Sequence, residues 1–304
     1  MIAPQYILRK LVEQALEEDL GVRDLTTQAI FPRPFKSQAA LMAKEELILA
    51  GIEIASMIFK ILDPTLKFRP VAVDGQSIQR EGLIARLEGD GRSILMGERV
   101  AINFLQRLSA IATLTSKYVK AVKGFKVKIV DTRKTTPGLR ALEKYAVRVG
   151  GGHNHRFGLD RGILIKDNHV DLIGSLSQAV ERAKKSTPHS LKIEVEARDL
   201  QEVQEALSSG ADMILLDNMK PEEIKKAVEI IKGRALVEAS GGISLPNVAE
   251  IAATGVDYIS IGALTHSAPA VDICLNVVTR RAKRARGEGS KGFAFGGGDV
   301  SPHD

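Results

Sequence analysis

Short apolar runs in this 304-residue chain end repeatedly in groups able to do chemistry. The ends read Asp131-Thr132-Arg133-Lys134, Lys166-Asp167-Asn168, Glu194-Val195-Glu196, Asp217-Asn218, Glu238-Ala239-Ser240-Gly241-Gly242 and Gly262-Ala263-Leu264. Arg133, Lys134, Arg156 and Lys166 supply cations, and guanidinium forks match carboxylates and phosphates in two-point geometry. Glu196 and Asp217 face them. The glycine-rich ends at Ser240 and Gly262 expose backbone N–H groups of the kind that hold phosphate. One charged run-end is an ordinary helix cap or turn, and a structural ion-pair network would show the same spacing. Brought to one mouth, these ends would form a site for a ligand carrying several carboxylates or phosphates.

The elements that must position these groups follow from periodicity. From residue 126 onward, β-branched runs alternate with amphipathic stretches: KVKIVD, GILIKD, LKIEVEA, MILLDN, ALVEASG and YISIGAL each precede a helical pattern. Continuous apolar runs read as buried parallel strands, and apolar residues at three- and four-residue steps read as their covering helices. Pro221, Pro246 and Pro269 mark helix starts, and Gly210, Gly233 and Gly255 mark helix ends. Six evenly short β/α units without a GxGxxG turn predict an α/β fold with an incomplete (β/α)6-type, TIM-like barrel, its reactive groups at the carboxyl ends of the strands. A last helix is expected from Pro269.

The first 110 residues have a different rhythm and predict a separate α+β domain. It holds a helix over Ile7 to Asp19, a strand-like SQAALMAKEELILAG, a helix through Ile58 and strand candidates up to Glu88. A long helix over Ser93 to Val122 leads into the barrel. The tail from Gly287 to Asp304 has six glycines and no periodicity, so 284–304 is expected to be disordered.

Composition excludes several classes. Nothing approaches the roughly 20 apolar residues of a membrane span, and Met1 to Asp19 lacks the apolar run of a secretory signal. Cys274, the only cysteine, can form no internal disulfide; it is expected in the core, and a cytoplasmic setting is expected for the protein. The net charge of +6 owes much to RRAKRAR (280–286), and with no tryptophan and four tyrosines the chain lacks a nucleic-acid-binding stripe. In Gly150-Gly151-Gly152-His153-Asn154-His155-Arg156 the glycines would let backbone approach a ligand closely. Two metal-binding histidines are the competing reading, and it lacks adjacent further ligands. His169 and His266 read as structural or near the rim.

The stretch DTRKTTPGLRALEKYAVRVGGGHNHRFGLDRGILIKDNHV (131–170) closely resembles the central signature of quinolinate phosphoribosyltransferases, also called nicotinate-nucleotide pyrophosphorylases. EDLGVRDLTT, GERVAINFLQRLSAIAT, IEVEA, ILLDNM, EASGGI and YISIGALTHS extend the likeness, in order, over nearly the whole chain. The resemblance implies an N-terminal α/β sandwich domain (1–111, joined by 268–283), a barrel domain (112–267) and a homodimer, or a higher oligomer, with shared active sites. It implies decarboxylating phosphoribosyl transfer from phosphoribosyl pyrophosphate to quinolinate. Arg99 of a partner, with Arg133, Arg156, Lys166 and His155, would bind the two carboxylates. Lys134 would approach pyrophosphate, and the loops Ser240, Gly241, Gly242 and Gly262, Ala263, Leu264 would hold the 5′-phosphate, with Thr132 alongside. Glu196 and Asp217 would face the ribose, through magnesium, hydroxyl contacts or both. Lys134, Lys166, Glu196 and Asp217 are thus the expected catalytic groups. Arg161, where the family pattern suggests a small or acidic residue, and the glycine-rich tail depart from it. Two rivals stay open: transfer to another acidic heterocycle, and a sensor that binds a phosphorylated metabolite without turnover.

Overall fold

Leu8, Val12 and Leu16 recur every fourth residue and bury one stripe of α1 (Gln5–Leu20). The computed structural model describes residues 4–278; the RRAKRAR run and the glycine-rich tail lie outside them. α2 (Leu25–Ile30), which periodicity did not show, starts where the Asp24 carboxylate accepts the Thr27 N–H. β1 (Lys36–Ala43) alternates, burying Ala39, Leu41 and Ala43, and is followed by the two-residue β2 (Leu47–Ile48). α3 (Ile52–Leu62), β3 (Lys67–Pro70), β4 (Ser77–Ile78) and β5 (Leu83–Asp90) complete this part before α4 (Gly91–Ala121).

β1 lies between β5 and β12 (Ile273–Val277), and β3 flanks β5, all antiparallel; β2 pairs with β4. β12 replaces the helix expected from Pro269. Ile273 and Leu275 point inward at two-residue spacing, and pairing with β1 satisfies backbone groups that an open edge would leave to water. Cys274, between them, is half-buried rather than deep in the core.

α4 runs 31 residues, capped by the Asp90 carboxylate, and links the two halves. It packs on α3 and the antiparallel sheet and, further along, on the parallel part of the molecule.

That part is a six-stranded, all-parallel sheet in the order β6-β11-β10-β9-β8-β7. Its elements are β6 (Lys128–Val130), α5 (Arg140–Val149), β7 (Ile163–Ile165), α6 (Asp167–Ile173), α7 (Leu176–Ser186), β8 (Ile193–Ala197), α8 (Leu200–Ser208), β9 (Met213–Asp217), α9 (Pro221–Ile231), β10 (Leu236–Ser240), α10 (Val248–Ala253), β11 (Tyr258–Ser260) and α11 (Ala263–His266). Pro221 opens α9 as expected, whereas α10 begins at Val248, after Pro246. β6 and β7, consecutive in the chain, stand at opposite edges, so the barrel is incomplete. His153 bridges to Val130 along the free edge of β6, which brings the glycine-rich loop there as a rudimentary extra strand. The glycines serve this packing: a Cβ on Gly150 would lie 2.4 Å from the Ala112 carbonyl oxygen of α4, and one on Gly152 would lie 2.8 Å from Thr115.

Candidate active site

Most of the chemically promising residues converge. A cavity of about 560 Å³ at the carboxyl ends of the parallel strands is lined by Thr132, Arg133, Lys134, His155, Arg156, Lys166, Glu196, Asp217, Ser240, Gly241 and Gly242. Each comes from a strand end or the segment after it, where a parallel α/β barrel collects the loops free to vary without disturbing the core.

Two buried ion pairs set the cationic side. Lys144 of α5 meets Asp131, both almost wholly buried, and donates also to the His155 carbonyl at 3.1 Å. Asp131 in turn accepts the His155 N–H at 2.9 Å and the Asn154 amide at 2.6 Å, which fixes the loop carrying His155 and Arg156. Burial pushes the Asp131 carboxyl up and the Lys144 amine down, and each partner's charge opposes that push. The second pair joins Arg107 of α4 to the fully buried Glu143 of α5 at 2.7 Å. Glu143 also accepts the Thr136 N–H and hydroxyl, Arg107 reaches the Thr265 carbonyl, and the Thr265 hydroxyl donates to the Lys134 carbonyl at 2.7 Å. The segment Arg133 to Thr136 is thereby held from three elements.

Arg133 Nε is buried without a hydrogen-bond partner among the described residues, and Arg156 donates to the Gly162 carbonyl at 2.9 Å. Burial first, then the Arg133 charge, push the Arg156 guanidinium down, although it stays a cation. Two partly buried guanidiniums that repel each other favour an anion between them. Lys166 is tied down: its ammonium donates to Glu196 at 2.7 Å, so part of the expected cationic rim is neutralised within the chain. Asp217 accepts the Asn218 amide at 2.8 Å. Asn218 has φ +56°, a left-handed conformation that asparagine tolerates, and its N–H donates to the Ser240 carbonyl at 2.9 Å. Gly241, at φ +88°, lies so near that a Cβ there would come 2.2 Å from the Asn218 side-chain oxygen.

Four expected residues do not line the cavity. Arg99 is exposed on α4. Leu264 is fully buried in the core, and Ala263 precedes it in α11. Gly262 stands beside the site: a Cβ there would approach Lys134 Cδ at 3.0 Å and His266 Nε2 at 3.1 Å. His169 is a helix cap, its Nδ1 accepting the Lys166 N–H at 2.9 Å. His153 is exposed on the β6 edge, away from this cavity.

Sequence reasoning left out Glu194 and Glu238 as site residues. His155 Nε2 lies 3.1 Å from Glu194 and 3.6 Å from Glu238, both buried inside the barrel. The signal was legible: Glu194 and Glu196, two apart on one strand, share a face, and Glu238 interrupts an otherwise apolar run. His155 Nδ1 accepts the Arg156 N–H at 2.8 Å, which assigns the ring hydrogen to Nε2, facing the glutamates. Burial lowers the His155 pKa most strongly, but the Glu194 hydrogen bond and the two glutamate charges outweigh it and leave the pKa raised. Glu238 is pushed up to about 7, by burial first and by the Glu194 charge second.

Comparison with known proteins agrees with this architecture. The family model for the quinolinate phosphoribosyl transferase N-terminal domain matches residues 24–109, and that for the C-terminal domain matches 111–276. A Bacillus subtilis protein named "Probable nicotinate-nucleotide pyrophosphorylase (carboxylating)" is 44% identical over 89% of this chain and 93% of its own. A Nicotiana tabacum protein named quinolinate phosphoribosyltransferase (decarboxylating) 2b, mitochondrial, is 40% identical over 93% of this chain and 87% of its own. The solved nicotinate-nucleotide pyrophosphorylase of Francisella tularensis superposes with a TM-score of 0.87 at 40% identity, covering 91% of this chain and 98% of that one. With both of its domains matched and such relatives aligned along nearly its full length, the chain belongs to the quinolinate phosphoribosyl transferase family.

Proposed function

We propose that the chain transfers the phosphoribosyl group of phosphoribosyl pyrophosphate to quinolinate, releasing pyrophosphate and carbon dioxide and leaving nicotinate mononucleotide for NAD biosynthesis. "Carboxylating" and "decarboxylating" in the relatives' names describe one reaction from its two ends. The observation that carries the reading is the cavity itself, whose single lining brings Arg133, Arg156, Lys134 and Lys166 together with Glu196 and Asp217. A planar dianion fits the first group, and a sugar that becomes cationic fits the second.

Arg133, Arg156 and the Lys166 ammonium hold the two carboxylates, and Lys134 meets the pyrophosphate. Ser240, Gly241 and Gly242 offer the 5′-phosphate their backbone, with Gly262 beside that cradle. As the glycosidic bond to pyrophosphate lengthens, the Asp217 and Glu196 carboxylates stabilise the charge growing on the ribose, and their orientation is set in advance. Alkylation of the pyridine nitrogen then stabilises the electron pair left on the ring when the adjacent carboxylate departs, so decarboxylation follows transfer. Two carboxylates beside a phosphate cradle suit magnesium, which takes few protein oxygens and several from substrate and water. Bound there by Glu196 and Asp217, it would neutralise the leaving pyrophosphate. We further place the work in the cytoplasm and in a homodimer to which Arg99 of one protomer contributes at its partner's cavity. Among the described residues no helix is long and apolar enough to cross a membrane.

The test is direct: purified protein, quinolinate, phosphoribosyl pyrophosphate and magnesium should yield nicotinate mononucleotide, pyrophosphate and carbon dioxide in equal amounts. A folded protein that makes none of them overturns the proposal. Turnover with another acidic heterocycle but not quinolinate transfers the assignment to that rival, and binding without turnover favours the sensor.

A further inference from the structure

Beneath the substrate cavity, His155, Glu194 and Glu238 form a cluster in which one ligand atom from each lies within 4.8 Å of the others. His155, Arg156 and Glu238 also line a second cavity of about 270 Å³, which opens beside the strand starts at Ile163, Met213 and Tyr258. The cluster thus forms a partition across the barrel, with the substrate cavity on one side. Glu238 is 1% exposed and Glu194 5%, and one carboxylate oxygen of each has no hydrogen-bond partner among the described residues. The Arg156 N–H occupies His155 Nδ1, so the ring presents Nε2 to both carboxylates as its one point of contact with them. Two desolvated carboxylates sharing one imidazole cannot both stay ionised without a large cost.

Resting on the reading that the cavity takes quinolinate, we propose that Glu238 is a positioning residue for dicarboxylate binding. As the neutral acid it leaves the charge of Arg133 and Arg156 to the substrate; once ionised it draws that charge toward the barrel interior and weakens binding. The groups around it agree. Glu194 from β8 and Asp131 just after β6 resist its ionisation, while His155 from the loop and the Ser260 hydroxyl from β11 ease it. Its register neighbours, Leu215 of β9 and Tyr258 of β11, bring no cation and Lys144 is committed to Asp131, so Arg133 and Arg156, which line the substrate cavity together with Glu238, are the cations its ionisation would draw. Burial and the Glu194 charge hold the Glu238 carboxyl near 7, within the range where this exchange would operate.

The experiment is calorimetric titration of the protein with quinolinate alone across about pH 6 to 9, on the parent and on Glu238→Gln, which keeps the side chain's shape but cannot ionise. The parent's Kd should rise with pH above neutrality, approaching about tenfold per pH unit as one-proton linkage requires. Glu238→Gln should stay within about twofold of the parent's low-pH value throughout, the single linked proton being gone. Infrared difference spectra of glutamate-labelled parent protein should show a protonated carboxylic acid that titrates over the same range, a measurement that needs no variant. Tight but pH-independent binding, a pH step that survives in Glu238→Gln, or no protonated acid in the spectrum would each remove Glu238 while leaving the proposed activity intact. A tightly held metal whose removal abolishes the step would also overturn it. Failure of the parent to bind quinolinate or make product would instead strike the functional reading.

Discussion

Lys144 is the residue on which the cationic side of the cavity depends most, although it does not line that cavity. It neutralises buried Asp131, and together they hold His155 by its N–H and its carbonyl. Lys144→Ala should cost about 3–5 kcal/mol in denaturant unfolding, because it leaves a buried carboxylate unpaired. Replacing both partners by apolar residues should cost less. At Arg156, lysine keeps the charge but loses the planar fork, so Arg156→Lys should raise the quinolinate KM about 10- to 100-fold, the worth of one charge-assisted hydrogen bond. Steady-state kinetics at saturating phosphoribosyl pyrophosphate would read this. Stability follows Glu238 with a definite sign. Its folded pKa of about 7 lies above the ordinary 4.5, so its contribution is complete below about 4.5 and is lost as pH rises through about 7. The Tm of the parent should therefore fall relative to that of Glu238→Gln as the solution passes from mildly acidic to mildly alkaline.

Elements act here mainly by how closely they approach one another. Gly150 lets the loop after α5 lie on α4, and Gly241 lets the β10 loop lie on Asn218. Gly150→Ala should cost about 1–3 kcal/mol by overpacking against a carbonyl that cannot swing away. Gly241→Ala adds left-handed backbone strain to a clash, also about 1–3 kcal/mol, and should raise the KM for phosphoribosyl pyrophosphate more than that for quinolinate. The expected bounds of α4, Ser93 to Val122, lie close to the observed Gly91–Ala121, since thirty residues of apolar periodicity override uncertainty at the ends. The segment after Pro269 read as a helix and is β12, because the edge of β1 recruits it. No local signal competes with an unpaired strand edge two hundred residues away. α6 escaped notice because its seven residues bury none of their side chains and so carry no hydrophobic period.

For the whole molecule, site sharing between protomers is read by a mixing experiment. Arg99 is exposed and does not line its own chain's cavity, whereas Lys166 does. If protomers share sites across a two-fold, mixing inactive Arg99→Ala and Lys166→Ala chains should restore about a quarter of parental activity, one intact site in each heterodimer. Verified subunit exchange with no recovery would remove Arg99 from the site.

By itself the sequence determined which strand ends carry polar groups, since buried parallel strands and covering helices leave unambiguous periods and the chemistry follows at their carboxyl ends. It could not show how those groups are partnered. The sequence shows Lys166 as one of four cations but not its bond to Glu196, and it points the three glycines before His153 at a ligand where two of them serve α4. Partnering depends on distances between residues far apart in the chain, such as Arg107 and Glu143 or His155 and Glu238, and only the closed fold sets those.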